Sequence, residues 1–266
     1  MGADEPVIEQ HSGASKEQRG IHSMEVGGRL LRLLADAGQP LSMGALSSAA
    51  NLPLNQVFTY VVSLMRTGLI KRDAVTHCYE PGPLSRTLGL HALSQLSPLR
   101  EALRRAIEIA AATKHGVLVA VWGDRGPTVV QYVSPEVPLH TGMHVGAVMS
   151  MAHTSTGRIF AAYIPATTVD PMLASDIQKR DGNTSGLTSE ELEELLLETR
   201  RRGLARTEGL PIPGVDSLSA PVFNGAGEIV LAVTVFGETG AMDMAWEGDP
   251  AKALTSLARE LSSRGN

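Results

Sequence analysis

Cysteine is almost missing from this chain. Cys78 stands alone among 266 residues, which excludes an intramolecular disulfide and suits a reducing compartment, so the chain is expected in the cytoplasm. Aromatic residues make up 4%, and the core must therefore be packed from Leu, Val, Ala and Met. No apolar run approaches the length of a membrane span. The opening "MGADEPVIEQHSGASKEQRG" has no apolar stretch of the secretory type. It is polar and carries Gly and Ser, and residues 1–20 read as a disordered arm. Positive charge is also in deficit. A net charge of -5 excludes a protein coated in nucleic acid along its whole length.

Within that acidic chain one region is basic. Between Arg19 and Leu93 there are seven basic residues (Arg19, Arg29, Arg32, Arg66, Lys71, Arg72, Arg86) against four acids (Glu25, Asp36, Asp73, Glu80). The same region has an ordered set of short elements. Leu30, Leu33 and Leu34 fall at helical spacing, and Gly38 with Pro40 ends that helix. Ser42 caps a second short helix. Asn51, Leu52 and Pro53 form a tight connection to a third, Leu54 to Thr67, with Val57, Val61 and Leu64 on one face and Gly68 as its stop. Two extended pieces, "LIKRD" and "HCYE", follow. Helix, helix, turn, helix and hairpin is the order of a winged helix-turn-helix, in which the third helix enters the major groove.

The remainder has a different pattern. "SPLREALRRAIEIAAATKHG" is a long amphipathic helix suited to linking two domains. "GVLVAVWG" and "TVVQYVS" read as strands around "DRGP". A helix is expected from Ser155 to just before Pro165. "LTSEELEELLLETRRRG" is another, with Thr188 and Glu191 as a capping box, acids first, bases last and Gly203 as terminator. "SLSAPVFNGAGEIVLAVTVFG" is a β-hairpin turning at Asn224 to Gly227, and "DPAKALTSLARELSSR" is a last amphipathic helix. The expected class is α+β: a winged helix-turn-helix over residues 21–93, a linker helix over 94–115, and an antiparallel-sheet effector domain over 116–266.

Two stretches have chemistry to offer. On the third helix the polar series Asn55, Gln56, Thr59, Tyr60 and Ser63 is of the types that read base edges or touch phosphates, and Lys71 and Arg72 stand in the wing where they can grip the backbone. A plain solvated helix face is the alternative. In "HTSTGR", His153 to Arg158, a helix begins among small hydroxyl residues. Its free N–H groups and dipole suit a small carboxylate, and ordinary capping by Thr154 or Ser155 is the alternative. His140, His144 and His153 bring a metal to mind, but Pro138, Gly142 and Gly146 keep "PLHTGMHVG" from placing two of them on a helix face, and no metal or other cofactor is expected. A hydrolase would need Ser155, His153 and Asp216 to act together, without a G-x-S-x-G elbow, and no catalytic residues are assigned. A ligand-independent interaction protein that dimerises through the long helix is a third reading.

The order of these pieces resembles the isocitrate lyase regulator (IclR) family of bacterial transcription factors. The resemblance covers nearly everything after Arg19. It rests on "EVGGRLLRLL", "LSMGALSSAANLPLNQVFTYVVSLMRTGLI" and "YEPGPLSRTLG", then on "GMHVGAVMSMAHTSTGRIFAAYIP", "GLTSEELEELLLETRRRGLARTEG" and "GVDSLSAPVFNGAGEIVLAVTVFG". It implies a GAF-like effector domain, homodimers or homotetramers, promoter DNA as a partner, and control of a nearby catabolic operon. It further implies that the backbone N–H groups of Ser155 and Thr156 hold the carboxylate of a small organic acid, with Ser217 and Thr234 on the facing strands, Glu208 at the pocket mouth, and Leu139, Met143 and Phe236 as an apolar wall. Phe236 stands where the family commonly has a smaller polar residue, which favours a flat or aromatic acid. Thr59 stands where the recognition helix usually has Arg, and Leu54 where it often has a polar or basic residue.

Overall fold

The structure is a computed structural model that describes residues 20–96, 98–139, 141–178 and 187–263. Two compact units divide the chain between Arg86 and Thr87.

The first unit is built on α1 (His22–Ala37), α2 (Met43–Ala50) and α3 (Leu54–Arg66), followed by the antiparallel strands β1 (Ile70–Arg72) and β2 (Tyr79–Pro81). Leu30 and Leu34 of α1, Leu46 of α2, Val57 and Val61 of α3 and Tyr79 of β2 are buried together, as the helical spacing of the apolar positions requires. The helix ends are set by local chemistry. Gly38 closes α1 in the left-handed region at φ 60°. The Ser42 hydroxyl accepts from the Ala45 N–H at 3.1 Å at the start of α2, and Asn51 ends that helix at φ 51°. Leu41 extends the hairpin by exchanging backbone hydrogen bonds with Tyr79 at 2.9 and 2.7 Å.

The second unit is one five-stranded antiparallel sheet between helices. The strands are β3 (Gly116–Gly123), β4 (Gly126–Val133), β5 (Ala205–Thr207), β6 (Val215–Phe223) and β7 (Ile229–Glu238), in the order β4-β3-β7-β6-β5. Because side chains alternate across a sheet, each strand feeds two cores. Val117, Val119, Leu218, Val233 and Val235 face α5 (Leu99–Thr113) and α9 (Asp249–Ser263), whose Leu254 and Leu257 are fully covered; burying each such leucine contributes roughly 1.5–3 kcal/mol. Leu118, Ala120, Ala232 and Phe236 face α6 (Ser155–Tyr163) through Ile159 and Phe160. Outside α6, Ala161 and Ala162 pack with α7 (Ala166–Gln178) and α8 (Ser189–Arg202) through Leu173, Leu192 and Leu196. The capping box at α8 is present: the Glu191 N–H donates to the Thr188 hydroxyl at 3.2 Å, and the Thr188 N–H donates to the Glu191 carboxylate at 2.8 Å.

Three features differ from the sequence expectation. The linker helix α5 is shorter, and a separate helix, α4 (Pro83–Ser94), precedes it. Leu93 near the end of α4 and Leu96 just after it pack against the same apolar core as Leu99, and the two compact units divide within α4, after Arg86. The helix α7 has Pro171 inside it, with Thr167, Thr168 and Val169 before it, a composition that masks a helical pattern. The edge strand β5 is three residues long, too short for an alternation to register.

Candidate functional sites

In the first unit, α3 turns Asn55, Gln56, Thr59 and Ser63 outward, all exposed, while Tyr60 is half-buried against the helix core. Val57 is fully buried one turn earlier, which draws its helical neighbour Tyr60 inward. The Thr59 hydroxyl donates to the Asn55 carbonyl at 3.2 Å and the Ser63 hydroxyl to the Thr59 carbonyl at 3.0 Å. These hydroxyls are therefore turned back on their own helix, while Gln56 is exposed beside them. Two apolar side chains share this face: Leu54 and Phe58, four residues apart and each 56% exposed. Phe58 went unnoticed in the sequence, where a lone aromatic at helical spacing reads as core.

The hairpin beside α3 holds the two wing cations in defined positions. The Lys71 ammonium pairs with Glu80 at 2.7 Å across the strands. Arg72 donates from Nε to the His77 carbonyl at 3.1 Å and lies 5.9 Å from the Tyr79 ring. The turn is tied by Asp73, which accepts from the N–H groups of Val75 at 3.0 Å and Thr76 at 2.7 Å and from the Thr76 hydroxyl at 2.9 Å. The Thr76 amide, above all, holds the Asp73 carboxyl below its usual range.

In the second unit the sequence-predicted effector residues fall into three groups. Met143, Thr156, Ser217, Thr234 and Phe236 line one cavity between α6 and the sheet, together with Leu118, Met149, Thr154, Leu210, Ile212 and Val215. Its free volume is about 30 Å³, room for roughly one water. Ser155 and Leu139 sit just behind it. Ser155 is fully buried, and Leu139 packs on the same apolar cluster as Phe236. Glu208 does not line this cavity; it is 56% exposed, pairs with Arg206 at 3.4 Å, and borders a separate cavity.

The helix N-terminus is joined to the sheet by hydroxyl groups. Thr207, Ser217, Ser155, Ser219, Thr234 and Thr156 form a continuous line of six oxygens with spacings of 2.7, 2.6, 2.8, 2.6 and 2.7 Å. Ser219 donates to Ser155. A hydroxyl has a single proton, so Thr234 must donate to Ser219 and Thr156 to Thr234. The Thr156 hydroxyl is thereby committed as a donor inside the protein, and the one proton the line leaves over belongs to Ser155, Ser217 or Thr207. Ser219 was missed at the sequence level, although its alternation with Ser217 on β6 places both on one face.

Thr154 caps α6: its hydroxyl accepts from the Gly157 N–H at 2.9 Å. The amides of Ser155 and Thr156 are the first-turn N–H groups that this cap does not engage. Gly157 permits the geometry, because a Cβ there would lie 2.0 Å from the Ser150 carbonyl oxygen and 2.5 Å from the Met151 Cα. Phe236 is likewise seated against a glycine. Its ring covers Gly116, its cross-strand partner, where a Cβ would come within 2.2 Å, and it stacks on Tyr132 at 5.4 Å.

The other chemistries find no support in this geometry. The Ser155 hydroxyl is engaged by Ser217 and Ser219. Asp216 binds the Gly209 N–H at 2.7 Å and the Thr239 hydroxyl at 2.9 Å, tying loops together rather than orienting an imidazole. Of the three histidines, His140 lies outside the described residues, and His144 faces the Gly142 carbonyl at 3.1 Å. Among the described residues no group of three His, Cys, Asp or Glu side chains is gathered for a metal, and no helix is long and apolar enough to cross a membrane.

Comparison with known proteins decides the family. Residues 90–263 match the bacterial transcriptional regulator IclR C-terminal domain, and residues 23–74 match the IclR helix-turn-helix domain. The chain belongs to the IclR family. The glycerol operon regulatory protein of Streptomyces griseus is 26% identical over 250 residues, covering 92% of this chain and 95% of that protein. The crystal structure of Pseudomonas aeruginosa HmgR is 31% identical, with a TM-score of 0.57 and coverage of 92% and 98%. An IclR homolog from Microbacterium hydrocarbonoxydans, complexed with 4-hydroxybenzoate, has the same fold with a TM-score of 0.74 at 15% identity, over 91% and 98% of the two chains. This IclR protein is thus a transcriptional regulator with a DNA-binding helix-turn-helix and an effector-binding C-terminal domain, and it is not an enzyme.

Proposed function

We propose that a small organic acid, bound between the first turn of α6 and the β6–β7 face, controls the affinity of this regulator for promoter DNA. The observation that carries the reading is the α6 N-terminus itself. Two uncapped amides, Ser155 and Thr156, stand at the positive end of a helix dipole beside a cavity walled by Met143 and Phe236. The carboxylate takes those amides and the Ser217 hydroxyl; Thr156, whose proton is engaged by Thr234, contributes its N–H and not its hydroxyl. The organic part lies against Leu139, Met143 and Phe236, an apolar wall of the kind small-ligand pockets have. Glu208 stands outside, next to Arg206.

A cavity of about 30 Å³ holds no acid, so binding requires the segment that includes Met143 and Met149 to move outward from α6. Ligand-free and ligand-bound forms then differ in structure, and a ligand that prefers one of them shifts the balance. A homolog with this fold is complexed with 4-hydroxybenzoate, and an aromatic acid suits the Phe236 wall of this cavity.

On the DNA side, Asn55, Gln56, Thr59, Tyr60 and Ser63 of α3 read a palindromic site, with Lys71 and Arg72 on phosphates. A palindrome implies two copies, so the working unit in the cytoplasm is a homodimer or homotetramer. Calorimetric titration of a set of small organic acids, 4-hydroxybenzoate among them, tests the effector site. Ser155→Pro at the first helical position keeps the helix but removes an amide, whereas Ser155→Ala keeps the amide and removes only the hydroxyl. Loss of binding in the proline variant with retention in the alanine variant is the expected result; equal affinity in both would place the carboxylate elsewhere.

A further inference from the structure

Arg158, in the second turn of α6, is largely withdrawn from solvent, and burial alone pushes its guanidinium down to about 10. Two of its donors are engaged, Nε by the Ala152 carbonyl at 2.9 Å and one terminal nitrogen by the Arg206 carbonyl at 3.2 Å. Among the described residues no carboxylate lies within ion-pair distance of it. Both partners are neutral carbonyls, and the charge sits near the positive end of its own helix. A buried cation ordinarily has a counter-ion.

The rest of the guanidinium lines a cavity of about 200 Å³, large enough for a small ion with its waters. Thr199, Arg206, Thr207 and Trp246 also line it. The two acids at its edge are already engaged: Glu198 with Arg202 at 2.8 Å, Glu208 with Arg206 at 3.4 Å. Arg202 and Arg206 are each fixed 4.4 Å from the Trp246 ring centroid. Two guanidinium groups, Arg158 and Arg206, and two carboxylates, Glu198 and Glu208, thus line the cavity, and both carboxylates are taken by other arginines: Glu198 by Arg202 and Arg201, Glu208 by Arg206. Arg158 is the one without an acid.

We propose that this cavity is a second, separate ligand site, which takes a small oxyanion on the Arg158 guanidinium. A bidentate carboxylate or phosphate edge satisfies the donors that the two carbonyls leave over. The site is independent of the acid-binding cavity at the α6 N-terminus, although Leu210 borders both, and the Thr207 hydroxyl at its wall begins the line that leads to Ser217.

The test is the melting temperature of the full chain at constant ionic strength, with chloride replaced by inorganic phosphate, by acetate, or with neutral acetamide added. Phosphate or acetate raises it in a saturable way in the parent, acetamide does not, and Arg158→Gln abolishes the rise. A rise with phosphate alone assigns the site to inorganic oxyanions, and a rise with acetate assigns it to carboxylates. A rise of equal size in parent and Arg158→Gln, or none with either oxyanion, overturns the proposal. Should Arg158→Gln not fold, Glu208→Gln decides. Removing this exposed acid frees Arg206 and should tighten the oxyanion roughly three- to fivefold; an unchanged affinity overturns the site.

Discussion

The side-chain oxygens of Thr156 on α6 and Thr234 on β7 lie 2.7 Å apart, both residues almost fully buried. This contact fastens the start of the helix to the centre of the sheet, and through Ser219 and Ser155 it extends to Ser217 and Thr207. Thr156→Val keeps the shape and leaves Thr234 without its donor. The expected loss is about 1–3 kcal/mol in chemical denaturation. The double variant with Thr234→Val should be less damaging than the sum of the two single changes, because it removes both ends of one bond. Strict additivity would mean that the line does not act as a unit.

Gly157 is a backbone requirement. An alanine there drives its Cβ into the Ser150 carbonyl oxygen at 2.0 Å, an atom that cannot swing aside. Gly157→Ala is expected to destabilise by about 3 kcal/mol or more, seen as a lower melting temperature. Gly142→Ala offers a comparison of another kind, since nothing lies near its Cβ and only its φ of 65° is strained.

The DNA interface divides by residue type. Gln56→Ala should weaken binding to the preferred duplex by about 1–3 kcal/mol and leave non-specific binding nearly intact. Arg72→Ala should weaken all duplexes and flatten the salt dependence. Lys71 is held by Glu80 at 2.7 Å, so Glu80→Gln, which frees the ammonium, should strengthen non-specific binding. Mobility shifts at several salt concentrations distinguish these outcomes.

The assembly is expected to be a dimer or tetramer. Light scattering on the full chain at micromolar concentration checks this, and a duplex selected from a random-sequence library should have two related half-sites about one helical turn apart. A monomer that binds a single half-site would count against the reading of α3.

Much of this was legible in the sequence because it rests on local chemistry. Gly38, Ser42, Thr188, Glu191 and Gly203 mark helix ends through their own hydrogen bonds or φ values and do so whatever surrounds them. Ser217, Thr234 and Phe236 were assigned to one pocket by resemblance alone, and the register pairs Ser217 with Phe236 directly. What could not be read depends on partners distant along the chain. Pro171 hid α7, and β5 has meaning only beside β6. The surroundings of Arg158 depend on the Arg206 carbonyl, which comes from β5, 48 residues along the chain. Glu208 was expected at the pocket mouth and lies by Arg206, along a neighbouring cavity.

The measurement closest to the central claim joins the two halves of the protein. The full chain is titrated onto its selected duplex by fluorescence anisotropy, with and without the acid that binds it most tightly in calorimetry, in the parent and in Ser155→Pro. The account predicts that the acid changes the parent's DNA affinity at least about fivefold, within the range usual for coupled sites, and leaves the proline variant unmoved. An acid that binds the parent yet leaves its DNA affinity unchanged, or that shifts both proteins equally, would contradict it.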